Sequence, residues 1–162
     1  MKSLALALVL LAWFATPACA DLDSGVAAFK HGDYATALRE FKPSAERGNA
    51  RAQFNLGYMY DKGQGVPQDF QEAVRWYRLA AEQEYVRAQT HLGTMYERGT
   101  GVPQDYVLAL MWLNLAAAQD QKDVAVIRDK LAKGMTPAQI AEAQKLAREW
   151  KPKKCFILIA GC

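Results

Sequence analysis

The chain has 162 residues, with 20 Lys and Arg against 17 Asp and Glu and a net charge of +3. An excess this small argues against nucleic acid or a strongly anionic surface as partner. The length suits one domain. The first 20 residues read as an export signal rather than as part of the fold. Lys2 supplies a positive start, Leu4 to Phe14 form a short apolar run, and Ala18-Cys19-Ala20 has the form of a cleavage site. The run falls short of the roughly 20 residues that span a bilayer comfortably. Cleavage before Asp21 and a periplasmic or secreted destination in a bacterium are the expectation. Lipidation of Cys19 is the alternative. The preceding Thr16-Pro17-Ala18 lacks the leucine usual at such a site, and cleavage after Ala20 would remove Cys19. No later segment is apolar for long enough to cross a membrane, so no membrane insertion of the mature chain is expected.

Residues 21–49 read as a degenerate first helix pair. Tyr34, Ala37, Leu38, Phe41 and Ala45 make an apolar stripe at helical spacing, preceded by the short turn His31-Gly32-Asp33. Two near copies follow. Residues 51–83 and 87–119 align without a gap at an offset of 36, so Gly57, Pro67 and Trp76 recur as Gly93, Pro103 and Trp112. Nineteen of the 33 aligned positions are identical, and self-similarity at that period signals a solenoid of stacked units. The two units are placed at residues 50–85 and 86–121.

Each unit predicts two antiparallel helices. The first carries Ala52, Leu56, Met59 and Tyr60, repeated as Ala88, Leu92, Met95 and Tyr96. Gly57 and Gly93 fall inside these helices, where glycine costs about 1 kcal/mol relative to alanine. Their recurrence points to a close helix crossing. The turn Gly63-Gln64-Gly65-Val66-Pro67-Gln68 recurs as Gly99-Thr100-Gly101-Val102-Pro103-Gln104. Its first glycine suits a left-handed helix end, and its proline delays the next helix. A Gly-x-Gly can also cradle phosphate, but here it lacks a preceding strand, a third glycine and a lysine. The second helix carries Phe70, Ala73, Val74, Tyr77, Ala80 and Ala81, then Tyr106, Ala109, Leu110, Leu113, Ala116 and Ala117. Asp69 and Glu72 form a capping-box pattern, whereas Asp105 can cap without a box because Leu108 replaces the glutamate. Trp76 and Trp112 each follow a buried-face alanine by three residues and are assigned to packing between units.

Residues 122–150 read as a capping helix pair. Val124, Ile127 and Leu131 line one helix, which Gly134 ends. Thr136, Pro137 and Gln139 start the last helix with a capping box, and Met135 with Ile140 are spaced for a hydrophobic staple. Ile140, Ala143, Ala147 and Trp150 form its apolar stripe. The tail, residues 151–162, begins with Lys151-Pro152-Lys153-Lys154, read as a solvated basic end. It closes on Cys155-Phe156-Ile157-Leu158-Ile159-Ala160-Gly161-Cys162. An oxidising compartment would allow a Cys155–Cys162 disulfide. The apolar Phe156 to Ile159 can be a silent end, the favoured reading, or a strand added to a partner.

The motif A-x-x-x-L-G-x-M-Y-x-x-G-x-G-V-x-x-D-x-x-x-A-x-x-W-x-x-x-A-A stands complete in residues 52–81 and 88–117. It closely resembles the Sel-one-like repeat, a relative of the tetratricopeptide repeat. The resemblance implies an all-α, right-handed superhelical solenoid of about four antiparallel helix pairs. It also implies a non-enzymatic adaptor that binds a protein or peptide segment, with exported bacterial members associated with the cell envelope. If the first helix of each pair lines a concave groove, as in the tetratricopeptide relatives, then Asn55, Tyr58, His91 and Thr94 are the candidate groove contacts.

Chemistry is sparse. The chain has two histidines, His31 and His91, no cysteine within the repeats, and neither an HExxH nor a CxxC pattern. No catalytic residue, metal site or cofactor is assigned, and a monomer is the expected state. Two alternatives remain. One is a weak β-lactam-binding or hydrolysing enzyme like cysteine-rich relatives, whose cysteine pair in each repeat is missing here. The other is a peptidoglycan-binding envelope protein.

Overall fold

The computed structural model describes residues 22–119 and 122–153. Their regular structure is helical: α1 (Leu22–Lys30), α2 (Tyr34–Glu46), α3 (Ala50–Lys62), α4 (Phe70–Ala81), α5 (Val86–Arg98), α6 (Tyr106–Ala117), α7 (Lys122–Ala132) and α8 (Pro137–Glu149). Consecutive helices pack from α1 through α7, and α8 also rests on α6. This is the α/α solenoid that the repeat pattern calls for.

Each of the first three pairs closes on a glycine. A Cβ added to Gly57 would lie 2.9 Å from Cδ1 of Tyr77 and 3.2 Å from the carbonyl oxygen of Ala73. At Gly93 it would meet Cγ of Leu113 at 2.9 Å and the Ala109 carbonyl oxygen at 3.1 Å. Gly25 holds the same place in α1, where a Cβ would meet the Phe41 ring at 2.7 Å. Phe41, Tyr77 and Leu113 are spaced by 36 and are fully buried. The first pair therefore shares the geometry of the others, although four fewer residues separate its glycine from the facing side chain.

The connections follow from backbone requirements. Gly63 and Gly99 end α3 and α5 at φ of +66° and +68°. The second glycine of each turn serves the neighbouring unit: a Cβ on Gly101 would strike the Phe70 carbonyl. Gln68 Nε2 donates to the Asp61 carbonyl and Gln104 Nε2 to the Glu97 carbonyl, both at 2.8 Å, which folds each turn back onto its own helix.

A polar clamp joins successive units. Gln53 Nε2 donates to the Ala45 carbonyl at 3.1 Å, and Gln89 Nε2 to the Ala81 carbonyl at 3.2 Å. Gln83 Nε2 then donates to Gln53 Oε1 at 2.7 Å, and Gln119 Nε2 lies 3.4 Å from Gln89 Oε1. Gln53 and Gln89 are buried at helix starts, where they satisfy carbonyls at the end of the preceding pair. Trp76 packs with Ala45, Ala52 and Leu56 across the same junction. Trp112 meets Trp150 edge-on, with ring centroids 6.0 Å apart.

Four expectations need correction. Phe70 and Tyr106 do not join the buried stripe; they remain 37% and 42% exposed. Each opens its helix at the edge of the pair, and the Gly101 turn covers the Phe70 backbone rather than its ring. Ile127 is likewise 37% exposed, whereas Val124 and Leu131 are buried. The box at Asp69 is half formed. Asp69 accepts from the Gln71 and Glu72 amides, but the Glu72 carboxylate turns outward to a paired contact with Arg75 at 2.9–3.1 Å. A charge-assisted fork outcompetes the return bond to the cap. At Thr136 and Gln139 no cation intervenes, and both halves of the box are present. Finally, Lys153 is solvent-exposed as expected but is tied to the fold rather than loose. Its amide donates to the Glu82 carbonyl at 2.9 Å, and its Nζ lies 3.0 Å from Glu82 Oε2.

Gly57→Ala tests the crossing. Alanine improves helix propensity by about 1 kcal/mol, but the added methyl meets a buried ring and a backbone carbonyl. Overpacking of this kind costs about 1–3 kcal/mol, so the melting temperature should fall. Gly134→Ala is the control, because its Cβ would find nothing nearer than the Leu131 carbonyl at 3.6 Å. Equal melting of both variants and the parent would refute the account.

Candidate functional site

Helices α1, α3 and α5, the first of each glycine-crossed pair, carry a line of side chains that the packing does not fully bury, and α7 follows them. Helices α7 and α8 do not form the expected capping pair but each pack on α6. In α3 and α5 the line includes Asn55, Tyr58, His91 and Thr94, all partly exposed. The structure does not gather the four into one pocket. His91 and Thr94 line a depression of about 320 Å³ together with Asp61, Lys62, Thr90 and Ile127. Asn55 lines a separate depression of about 160 Å³ with Val26, Phe29, Lys30, Phe41 and Arg87. Tyr58 stands between them, its ring 5.9 Å from Phe29 and 6.2 Å from His91.

The ridge between the depressions is aromatic. His91 lies edge-on to Phe54 at 5.4 Å and beside Tyr77 at 5.1 Å. Burial pushes its imidazole below the ordinary value; Asp61 opposes that shift, and Lys62 and Arg87 reinforce it. Burial also pushes the Tyr77 phenol upward, with Asp61 and Tyr58 adding to the effect. His91 is therefore a neutral, half-buried ring near pH 7 rather than a charged contact.

Polar groups on this face differ in how far they are satisfied. Thr90 and Thr94 donate their hydroxyls to the Val86 and Thr90 carbonyls at 2.9 and 3.1 Å, so they meet a ligand mainly as acceptors. Lys62 Nζ lies 2.9 Å from Asp61 Oδ2. Asn55 Nδ2 and the Tyr77 hydroxyl are buried without a hydrogen-bond partner. Arg98 also lines the larger depression, and it enters no ion pair among the described residues.

A third depression, of about 400 Å³, lies on the opposite helix set. Val74, Arg75 and Leu79 of α4 and Glu82 at its C-terminal cap line it with Val102 and Lys153. Sequence reasoning missed this place, because it depends on the fold-back of Lys153 onto Glu82. It also missed the alignment of Gly25 with Gly57, which a search at the fixed offset of 36 cannot find. Among the described residues no group of three or more His, Cys, Asp or Glu side chains could hold a metal ion. No described helix is long and apolar enough to cross a membrane. The signal segment with Cys19, and the Cys155–Cys162 segment, lie outside the described residues.

The Sel1 repeat profile matches residues 50–85 and 86–121. Among solved structures, the chain is 34% identical to a protective antigen present in uropathogenic Escherichia coli strains that displays an SLR fold. The TM-score is 0.74, over 80% of this chain and 28% of that one. A Sel1 repeat protein from Oxalobacter formigenes is 31% identical with a TM-score of 0.66, over 81% of this chain and 56% of its own. Among curated proteins, the "DAP3-binding cell death enhancer 1" of Rattus norvegicus and that of Mus musculus are each 40% identical over 45 residues. That stretch is 28% of this chain and 9% of the relative. The chain thus spans a small part of these curated relatives and about half or less of the two solved structures.

The depressed imidazole has a consequence for stability. Below the reference value of 6.5 the unfolded chain binds a proton at His91 that the folded chain resists. Stability from this group is therefore present above 6.5 and is lost as pH falls toward the lower folded value. His91→Phe should keep the ring packing and flatten the fall in melting temperature as pH drops below 6.5. An unchanged slope would place the imidazole in water.

Proposed function

We propose, from the premise that this chain belongs to the Sel1 repeat family, that it is a non-enzymatic adaptor of the bacterial cell envelope. Sel1 repeats form helical protein-interaction modules, and the finer reading adds three elements. The partner is a protein or peptide segment, the contact surface is the face of α1, α3, α5 and α7, and the signal-like first 20 residues carry the chain out of the cytoplasm.

The observation that carries the reading is where the two repeat copies diverge. Their glycines, tryptophans, turn prolines and clamp glutamines are identical. On the partly exposed face of the first helices, Asn55 becomes His91 and Tyr58 becomes Thr94. The second helices diverge too, as at Tyr77 and Leu113, but on the first helices the crossing glycine and the buried Leu-Gly-x-Met positions are kept while partly exposed neighbours change. A ridge of rings between two shallow depressions suits a short segment or one exposed helix rather than a small molecule.

In-cell photo-crosslinking tests this. A crosslinking residue at position 94 lies in the larger depression, and one at position 39, on α2, serves as the control. The expected result is one protein captured from position 94, none from 39, and loss of capture when Ile127→Asp places a charge across the depression. Equal capture from both positions, or capture indifferent to Ile127→Asp, would move the binding surface elsewhere.

A further inference from the structure

Position by position, the first helices of the pairs align on Gly25, Gly57 and Gly93. Two residues before each glycine stand Asp23, Asn55 and His91. At the first junction, Asp23 faces the arginine near the start of the next pair: Arg51 Nη1 donates to Asp23 Oδ1 at 3.0 Å. At the second junction the equivalent arginine is Arg87, 36 residues after Arg51, and the residue in the Asp23 place is Asn55. Both line the smaller depression. The cation is retained there, but the carboxylate that satisfies it one unit earlier has become an amide.

The rest of the depression fits the missing group. Lys30 reaches it from α1, and neither Lys30 nor Arg87 enters an ion pair among the described residues. Asn55 Nδ2 is buried without an acceptor, a state that destabilises the fold until an acceptor arrives. An ammonium, a guanidinium and an amide N–H all donate, and the first two cannot accept. No carboxylate lines this depression; its floor is the apolar set Val26, Phe29 and Phe41. A volume of about 160 Å³ admits one side chain and not a helix.

We infer that this depression is a carboxylate site that receives a glutamate or aspartate side chain from an acidic segment of the partner, in the place Asp23 fills at the first junction. The aliphatic part of the incoming side chain lies over Val26, Phe29 and Phe41, and its carboxylate meets Arg87, Lys30 and Asn55. Arg98, on the same face in the larger depression, gives a second cation for an acidic residue further along the segment. The inference rests on the reading of this face as the interaction surface, and it adds what that surface selects.

The test uses the purified full mature chain and two fluorescent peptides with amidated C-termini. One carries glutamates interspersed with leucines, and the other has every glutamate replaced by glutamine. The glutamate peptide should bind at least tenfold more tightly, with an advantage that shrinks as salt rises. Arg87→Gln should weaken it at least tenfold, because a charge-assisted contact to the carboxylate is lost. Asn55→Asp is the sharper variant. It recreates the Asp23–Arg51 arrangement internally, so it should abolish binding while the melting temperature holds or rises. Arg51→Gln, which breaks the pair at the first junction, should leave binding unchanged.

Equal binding of the two peptides would overturn the inference, as would unchanged binding to both Arg87→Gln and Asn55→Asp. The protein captured by crosslinking at position 94 separates the two levels. If it binds these variants with parental affinity, the carboxylate rule falls and the interaction face stands. If nothing is captured there, the face itself is misplaced and the carboxylate rule falls with it.

Discussion

Where the two helices of a pair cross, one contributes a hydrogen atom in place of a side chain, and the other fills the space with a large one. Gly25 receives Phe41, Gly57 receives Tyr77, and Gly93 receives Leu113. Each glycine costs about 1 kcal/mol of helix propensity, and each facing side chain recovers about 1.5–3 kcal/mol by full burial. Once that crossing is set, the rotation of the first helix is set too. Its buried side, with Ala52, Leu56 and Met59 or Ala88, Leu92 and Met95, faces the second helix. The residues two before and one after the glycine then fall on the outer face in every unit. The lateral alignment of Asp23, Asn55 and His91 is a consequence of the glycine contact.

Units joined only by apolar surface could slide, because hydrophobic contact is not directional. The glutamines remove that freedom. Gln53 and Gln89 reach out of a helix start to the last carbonyls of the preceding pair, and Gln83 and Gln119 close the chain of donors from the other side. Shifting one unit against the next would strand a buried amide, a loss of about 1–3 kcal/mol. Register between units is thus held by polar groups and affinity between units by alanines, leucines and tryptophans. The outer face shares in this at a few positions only, through the Asp23–Arg51 pair and the contacts of the Tyr58 ring with Phe29 and His91.

Much of this was legible in the residues. Period, helix boundaries and turn chemistry depend on local rules that a 36-residue repeat states twice, and the all-helical solenoid follows from them. The tertiary terms were not legible. Glu72 satisfies the pattern for a capping box, yet the pattern does not weigh it against Arg75 three residues on. Phe70 and Tyr106 satisfy the apolar period, but a period cannot say where a stripe runs off the edge of its pair. The first unit looked more degenerate than it is, because four residues missing from its turn shift Gly25 out of the offset that finds Gly57 and Gly93. For the outer face, Asn55, Tyr58, His91 and Thr94 were identifiable as polar or aromatic exceptions on the first helices. Their division between two depressions was not, since it depends on the ring of Tyr58 meeting Phe29 from a helix outside the strong repeats.

That division shows how one repeated position takes on different duties along the array. At the N-terminal junction it is an aspartate, bonded to Arg51 in a solvent-exposed ion pair. One unit further it is Asn55, which no longer neutralises the arginine and leaves its own amide unsatisfied in a depression. One unit further again it is His91, folded into rings and held neutral by burial. A residue selected for stability alone would repeat the aspartate, because an exposed ion pair costs little and an orphaned buried amide costs more. The middle junction gives up that pairing. Between the Asp23–Arg51 pair and the aromatic ridge, an arginine and an unsatisfied amide then share one depression that no carboxylate lines.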